Sequence, residues 1–434
     1  MTRKILISTG FLWFLVLSVY SQELPGLKVI GRYLYDKCGE KVILRGVSNP
    51  NIWFHKDGLP QYGEIEQTGA NVIRIVWDTS GSSIDLDNAI GNCIALNMIP
   101  MIELHDATGD WSKLQQCVNY WCRNDVVSVI QTYEEFLLIN IANEVGDASI
   151  TNAAFKNDYS KHVSTMRAAG IHVPLVIDGT DWGKNIDILQ SQGPSLITAD
   201  PDHNLMFSVH MWWPKMYYSN NVQKIKDEIA QSVKMGLPLI VGEFSQQFNN
   251  GDCNMRTINA QNAIPYDTII SECQKNEVGY IAWSWFGNCN PLWDMTTDGT
   301  FANLTDWGLD VAVNNENSIQ NTSVRPYSIQ FGKCNPASSI DNYLVGRGKN
   351  FELKNFPNPF SDKTFIRYRL NEDAGVEISI FNSMGGKVSS IIQLNQPKGN
   401  YSIPFDAAGL QSGIYFCSIL SGNRQETKKM LIIK

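Results

Sequence analysis

Between Lys41 and Trp285 the chain alternates short apolar runs with longer stretches of mixed polarity. Eight runs stand out: Val42–Val47, Asn71–Trp77, Met98–Leu104, Phe136–Ala142, Pro174–Asp178, Leu205–His210, Leu237–Glu243 and Gly279–Trp285. Most are nearly continuous in apolar residues, which predicts parallel strands covered on both faces. Between them, Ile84–Leu96, Ala153–Ala169, Val222–Met235 and Gln261–Lys275 carry helical spacing. Eight strand–helix units in about 300 residues predict an α/β fold, a (β/α)8 TIM barrel. A doubly wound open sheet is the alternative.

The polar residues that interrupt this pattern cluster at strand ends. His105, Asn143, Glu144, His210 and Glu243 sit at or near C-terminal ends, and Arg74 lies inside the second strand. In a (β/α)8 barrel that face builds the active site. So many polar groups on one face exceed what packing requires. Trp53, Trp182, Trp212, Trp213, Trp283 and Trp285 also fall on strand ends or the loops after them. Their rings offer flat apolar faces on which a pyranose stacks, with barrel packing as the bland alternative. Trp283 and Trp285 share a strand phase, so both are expected on one side.

Two strand-end glutamates suit hydrolysis of a glycosidic bond. One carboxyl protonates the leaving oxygen; the other attacks the anomeric carbon or activates water. The candidates are Glu144 in Ile-Asn-Ile-Ala-Asn-Glu and Glu243 in Ile-Val-Gly-Glu-Phe. For either alone, a salt bridge or a helix cap is the bland reading. The acid needs burial or a nearby negative charge to keep its proton, whereas a nucleophile needs donors that keep it ionised. Arg74 is a candidate donor to Glu243. Asn143 is a candidate for the sugar 2-hydroxyl. His105 and His210, two of only six histidines, are candidates for site roles. Such chemistry needs no cofactor.

Composition narrows the setting. A net charge of −8 argues against a nucleic-acid partner. Arg3 and Lys4 precede an apolar Ile5–Val19 core, and Val19-Tyr20-Ser21 offers cleavage before Gln22, which reads as a signal peptide over 1–21. A membrane anchor is the alternative, with a short apolar stretch for a span. Nine cysteines then enter an oxidising compartment where disulfides persist. No CxxC or HExxH spacing points to a metal site. Cys117–Cys122 is a local pairing guess, and Cys38–Cys334 would clip the ends of the large domain together.

A catalytic domain is expected over 22–334, and a Pro-, Ser- and Gly-containing linker over 335–352. Residues 353–434 carry a charge of +4, against −12 for the rest. Alternating runs at Thr364–Leu370, Val376–Phe381 and Gly413–Leu420 predict a small antiparallel β-sandwich there.

Arg74 in Asn-Val-Ile-Arg-Ile-Val, Asn143-Glu144, His210, Gly242-Glu243-Phe244 and Trp283-Ser284-Trp285 resemble glycoside hydrolase family 5. Glu-Leu-His105-Asp106-Ala-Thr-Gly, Met-Phe-Ser-Val-His210-Met and Leu-Thr-Asp306-Trp307-Gly extend the resemblance to its bacterial β-mannanase branch, over roughly residues 40–310. The resemblance implies that Glu144 is the acid/base and Glu243 the nucleophile, with retention of configuration and carboxyls about 5–5.5 Å apart. It implies endo-cleavage of β-1,4-mannosidic bonds in mannan, glucomannan or galactomannan by a monomer. An endo-β-1,4-glucanase and a non-catalytic glycan-binding protein are the alternatives. Two positions depart from the pattern. Trp212 stands where the family usually has a tyrosine hydrogen-bonded to the nucleophile, and Val145 where the branch often has an aromatic.

Asn355-Phe-Pro-Asn-Pro-Phe360, Phe381-Asn-Ser-Met-Gly385-Gly, Leu410-Gln-Ser-Gly413-Ile-Tyr415 and the Lys428-Lys429 ending resemble the type IX secretion sorting domain of Bacteroidota. That implies export through the periplasm to the surface or medium by the type IX machinery, with the tail removed afterwards. A carbohydrate-binding sandwich is the alternative.

Overall fold

The computed structural model describes residues 26–249, 251–334, 353–370, 374–382, 387–421 and 424–434. The expected signal peptide and linker lie outside the described residues. Two compact units result, one on each side of the 335–352 segment.

The larger unit is a closed barrel of eight parallel strands: Arg45–Asn49, Val72–Trp77, Ile99–Leu104, Leu138–Asn140, Leu175–Asp178, Leu205–His210, Leu239–Glu243 and Gly279–Ala282. Their uniform apolarity has a simple cause. Met101, Leu138, Val176, Met206, Ile240 and Ile281 fill the barrel interior together with Leu27 and with Val29 and Leu34 from a small N-terminal sheet. Their neighbours Ile102, Ile139, Ile177, Phe207 and Val241 belong to a second cluster shared with helix residues Phe155 and Ile225. Each strand is thus wetted on neither face. The α-helices Ser83–Ala95, Asn152–Ala168, Asn221–Lys234 and Tyr266–Asn276 are among the crossovers. Ser82 and Thr151 cap the first two by accepting from backbone N–H groups of Asp85 and Ala154.

Several boundaries differ from expectation. Lys41–Val42 pairs within the antiparallel N-terminal sheet, and the first barrel strand starts only at Arg45. The last strand ends at Ala282, before Trp283. Residues 244–249 and 251–264, expected in part as helix, carry no helix or strand, and the helix starts at Tyr266.

Cys38 and Cys334 form a disulfide with Cα atoms 5.3 Å apart. A second, Cys253–Cys289, joins the loop after the seventh strand to the loop after the eighth. The Cys117–Cys122 guess is corrected: both thiols are free. Cys117 lies in helix Leu114–Trp121, with Cys122 as its C-cap. Five helical residues turn about 140°, which points the two side chains apart.

The smaller unit has one three-stranded and one four-stranded antiparallel sheet. Strand Lys363–Leu370 alternates strictly between exposed and buried. Ile366 and Tyr368 pack with Ile378, Ile380, Ile419 and Met430 in its core.

Candidate active site

Inward strand parity selects the polar groups. Arg74 has the parity of Val72, Glu103 that of Met101, Asn140 that of Leu138 and Asp178 that of Val176, and all four are fully buried. Arg74 ties them together. One guanidinium nitrogen donates to Glu243 Oε1 at 2.8 Å; another donates to Asn143 at 2.6 Å and Asn140 at 3.0 Å. Simple alternation from Ile240 would send Glu243 outward. A register shift between Val241 and Glu243 breaks the ladder there and turns Glu243 into the barrel mouth. Gly242 lies close to the neighbouring strand at the bulge: a Cβ would sit 2.0 Å from Ser208 Oγ, so a larger residue would have to displace that hydroxyl.

Glu144 follows the fourth strand in the left-handed region, with φ of 45°. That costs a non-glycine residue about 1 kcal/mol. Two contacts hold it: its N–H donates to Asp178 Oδ2 at 3.0 Å, and its carbonyl accepts from Gly109 at 2.9 Å. His210 Nδ1 lies 2.7 Å from Glu144 Oε1, and its Nε2 lies 3.5 Å from Asp178. One oxygen of Glu144 lies within 4.8 Å of one of Glu243. Glu144, His210 and Glu243 therefore also have the spacing of a metal-ligand trio. Their fit to a cation is poor, because Arg74 already sets a fixed positive charge against Glu243.

The two carboxyls are not equivalent. Burial pushes Glu144 well up, and the neighbouring charges of Glu243 and Asp178 add to the rise. Burial also pushes Glu243 up, but Arg74 and His105 oppose it. Glu144 is therefore the better proton holder and Glu243 ionises first. Burial, then the Arg74 charge, drives His210 well below the usual histidine range, so its imidazole is neutral. Burial pulls His105 down as well, but the Glu103 carboxylate 2.9 Å away outweighs it and His105 is raised.

Above these groups lies a cleft of about 520 Å³, lined by Trp182, Trp212, Trp283, Trp293 and Phe248 as well as both glutamates. Trp283 stacks on His105 with centroids 5.6 Å apart. Trp53 meets the same His105 edge-on and is half exposed. Trp182 is 43% exposed, and its backbone N–H donates to the carbonyl of Gly146, two residues past Glu144. Trp212 donates its indole N–H to Glu243 Oε2 at 3.2 Å and packs on Trp293.

Trp285 is a correction. It is fully buried and donates to the Gly299 carbonyl at 2.8 Å, so it presents no face to the cleft. Strand alternation stops at Ala282 and no longer relates it to Trp283. Trp213 is likewise buried, on the Lys184 carbonyl. Asn143 is buried with its amide between Arg74 and Thr108. Sequence reasoning missed Glu103 and Asp178, although a charged residue in an apolar parallel strand is a readable signal. Trp293 and Phe248 carried no such signal, because they come from irregular loops.

Residues 35–288 match the family model described as cellulase (glycosyl hydrolase family 5), and residues 354–434 match the secretion system C-terminal sorting domain. The mannan endo-1,4-beta-mannosidase of Salipaludibacillus agaradhaerens is 31% identical over 309 residues, 69% of this chain and 94% of that protein. The mannan endo-1,4-beta-mannosidase of Cellvibrio japonicus is 30% identical over 72% of this chain and 71% of its own length. The solved structure of a beta-mannanase from Thermomonospora fusca superposes with a TM-score of 0.62 at 32% identity, covering 69% of this chain and 98% of that one.

Proposed function

The chain belongs to glycosyl hydrolase family 5, and from that we propose a retaining endo-β-1,4-mannanase with Glu144 as acid/base and Glu243 as nucleophile. The observation that carries the mechanism is the short reach between the carboxyls, one oxygen of Glu144 lying within 4.8 Å of one oxygen of Glu243. Retaining enzymes keep their carboxyls about 5–5.5 Å apart, whereas inverting ones need about 6.5–9.5 Å to admit a water. The mannanases similar to this chain support the substrate.

In this reading Glu243 attacks the anomeric carbon while Glu144 delivers its proton to the departing glycosidic oxygen. The bond to the leaving sugar breaks as an ester to Glu243 forms. Glu144, now a carboxylate, takes a proton from water; the hydroxyl oxygen attacks the same carbon and expels Glu243. Arg74 engages Oε1 at 2.8 Å and Trp212 the other oxygen at 3.2 Å, which favours Oε2 as the attacking atom. Exposed rings at Trp53 and Trp182 give a polymer stacking surfaces beside His105 and beside the Glu144 loop, in keeping with endo-action. The sorting domain marks the chain for export; we infer passage through the periplasm and delivery by type IX machinery to the surface or medium.

Incubation with galactomannan, glucomannan and soluble cellulose, read as new reducing ends, tests the substrate. Cleavage of both mannans and not cellulose is expected. Cellulose cleavage without galactomannan cleavage moves the substrate to β-glucan. Silence on all three refutes the reading.

A further inference from the structure

We propose that Asp178 is a positioning residue whose fixed negative charge, applied through the backbone N–H of Glu144 and through His210, keeps the proton on Glu144 between turnovers. This rests on the assignment of Glu144 as acid/base.

Asp178 touches Glu144 by two routes. Oδ2 accepts from the Glu144 N–H at 3.0 Å and so helps hold that residue in its left-handed conformation. The same oxygen faces His210 Nε2 at 3.5 Å, while Nδ1 of that ring lies 2.7 Å from Glu144 Oε1. A neutral imidazole has one N–H. The ring can link the two carboxyls only with its proton on Nε2, where Nδ1 accepts from the protonated Glu144; at 3.5 Å Nε2 makes no hydrogen bond to Asp178, so that contact acts through charge and dipole. Oδ1 accepts from Asn140, so Asp178 is itself fixed.

The surroundings leave this charge only partly compensated. Arg74, from the second strand, is 3.9 Å away, and its nearer contacts are Glu243, Asn143 and Asn140. Glu103 from the third strand adds a like charge, and the Tyr159 hydroxyl faces Asp178 from helix Asn152–Ala168. Facing Glu144 are His210 and Glu243 from the sixth and seventh strands, Arg74, and Lys184 in the loop after the fifth. Among the charges around Glu144, Arg74 and Lys184 oppose proton retention. Burial raises Asp178 to about 6, so it is ionised above neutrality, where an acid must still hold its proton. Nothing brings Asp178 to the cleft wall; it acts on Glu144 and not on the sugar.

The test is Asp178→Asn in the full chain, with Asp178→Ser as a second neutral replacement if Asn does not fold. Two substrates are needed: whichever β-1,4-glycan the wild type cleaves, and an aryl β-glycoside whose phenolate leaves without protonation. Expected is a fall of the alkaline limb of kcat/KM on the glycan by on the order of one pH unit, with the aryl glycoside rate within a few-fold of wild type. An unmoved alkaline limb, or equal losses on both substrates, overturns the proposal. Glu144→Gln is run in parallel. Failure of that variant to discriminate the substrates refutes the acid/base assignment itself, and is thereby separated from failure at Asp178.

Discussion

Replacing Trp212 by Phe removes one N–H and leaves most of the ring in place. The bond to Glu243 spans 3.2 Å, long for a donor to a carboxylate, where about 2.7–2.9 Å is usual. Its contribution belongs at the low end for a hydrogen bond to a charged group, about 1.5 kcal/mol. Arg74 still holds the other oxygen, so the site stays assembled. A nucleophile that loses this donor is harder to ionise. The same energy corresponds to roughly a tenfold loss of kcat/KM and an upward shift of the acid limb by about one pH unit. The sign follows from the donor's preference for the charged form. Steady-state rates on β-mannan across pH, for wild type, Trp212→Phe and Trp212→Tyr, measure both quantities. Tyr carries a hydroxyl donor and is expected to recover part of the loss. If Trp212→Phe raises KM with kcat and the acid limb unchanged, Trp212 is a stacking surface only and the reasoning fails.

Glu144→Ala and Glu243→Ala should each lower turnover of the glycan by orders of magnitude with the circular dichroism spectrum unchanged; near wild-type activity in either refutes its role. Burial and like charges raise Glu144 above its usual 4.5, so the folded state binds protons more tightly than the unfolded one and loses stability as pH rises past that value. Glu144→Gln should therefore raise Tm by a few degrees at pH 8 and hardly at pH 4, as melting scans at both pH values will show. Trp182→Ala should raise KM for long oligosaccharides several-fold with little change in kcat, because its ring is 43% exposed on the cleft and makes none of the hydrogen bonds that hold the two glutamates. Cys253→Ser with Cys289→Ser should raise KM several-fold and lower Tm by a few degrees, since that bridge has a sequence separation of 36 and secures the loop bearing Phe248; kinetics and melting scans that match wild type would refute this.

The barrel was legible because parallel strands buried on both faces write themselves as apolar runs, and all eight appear in the closed sheet. Arg74, Glu144, His210 and Glu243 were visible as polar interruptions of those runs, and they lie together in space. What escaped was tertiary. The Lys41–Val42 edge joins a sheet whose partners lie at Tyr33–Tyr35, and a strand of two residues does not announce which sheet it will join. The bulge before Glu243 follows from close approach of Gly242 to Ser208, a contact between strands. Trp285 misled because period-two reasoning was carried past the strand's end. The Cys253–Cys289 bridge joins two irregular loops whose proximity no periodicity encodes. The smaller sandwich was readable from strict alternation in Lys363–Leu370.

The Cys38–Cys334 bridge has a consequence for survival outside the cell. It closes the barrel unit into a covalent loop with a sequence separation of 296. A protease that nicks any one surface loop inside it frees no fragment, because both halves stay bonded through the two sulfurs. The nicked chain keeps its strands at high mutual concentration and can close again around its core. On a gel without reductant such an enzyme runs as one band; with reductant it falls into two.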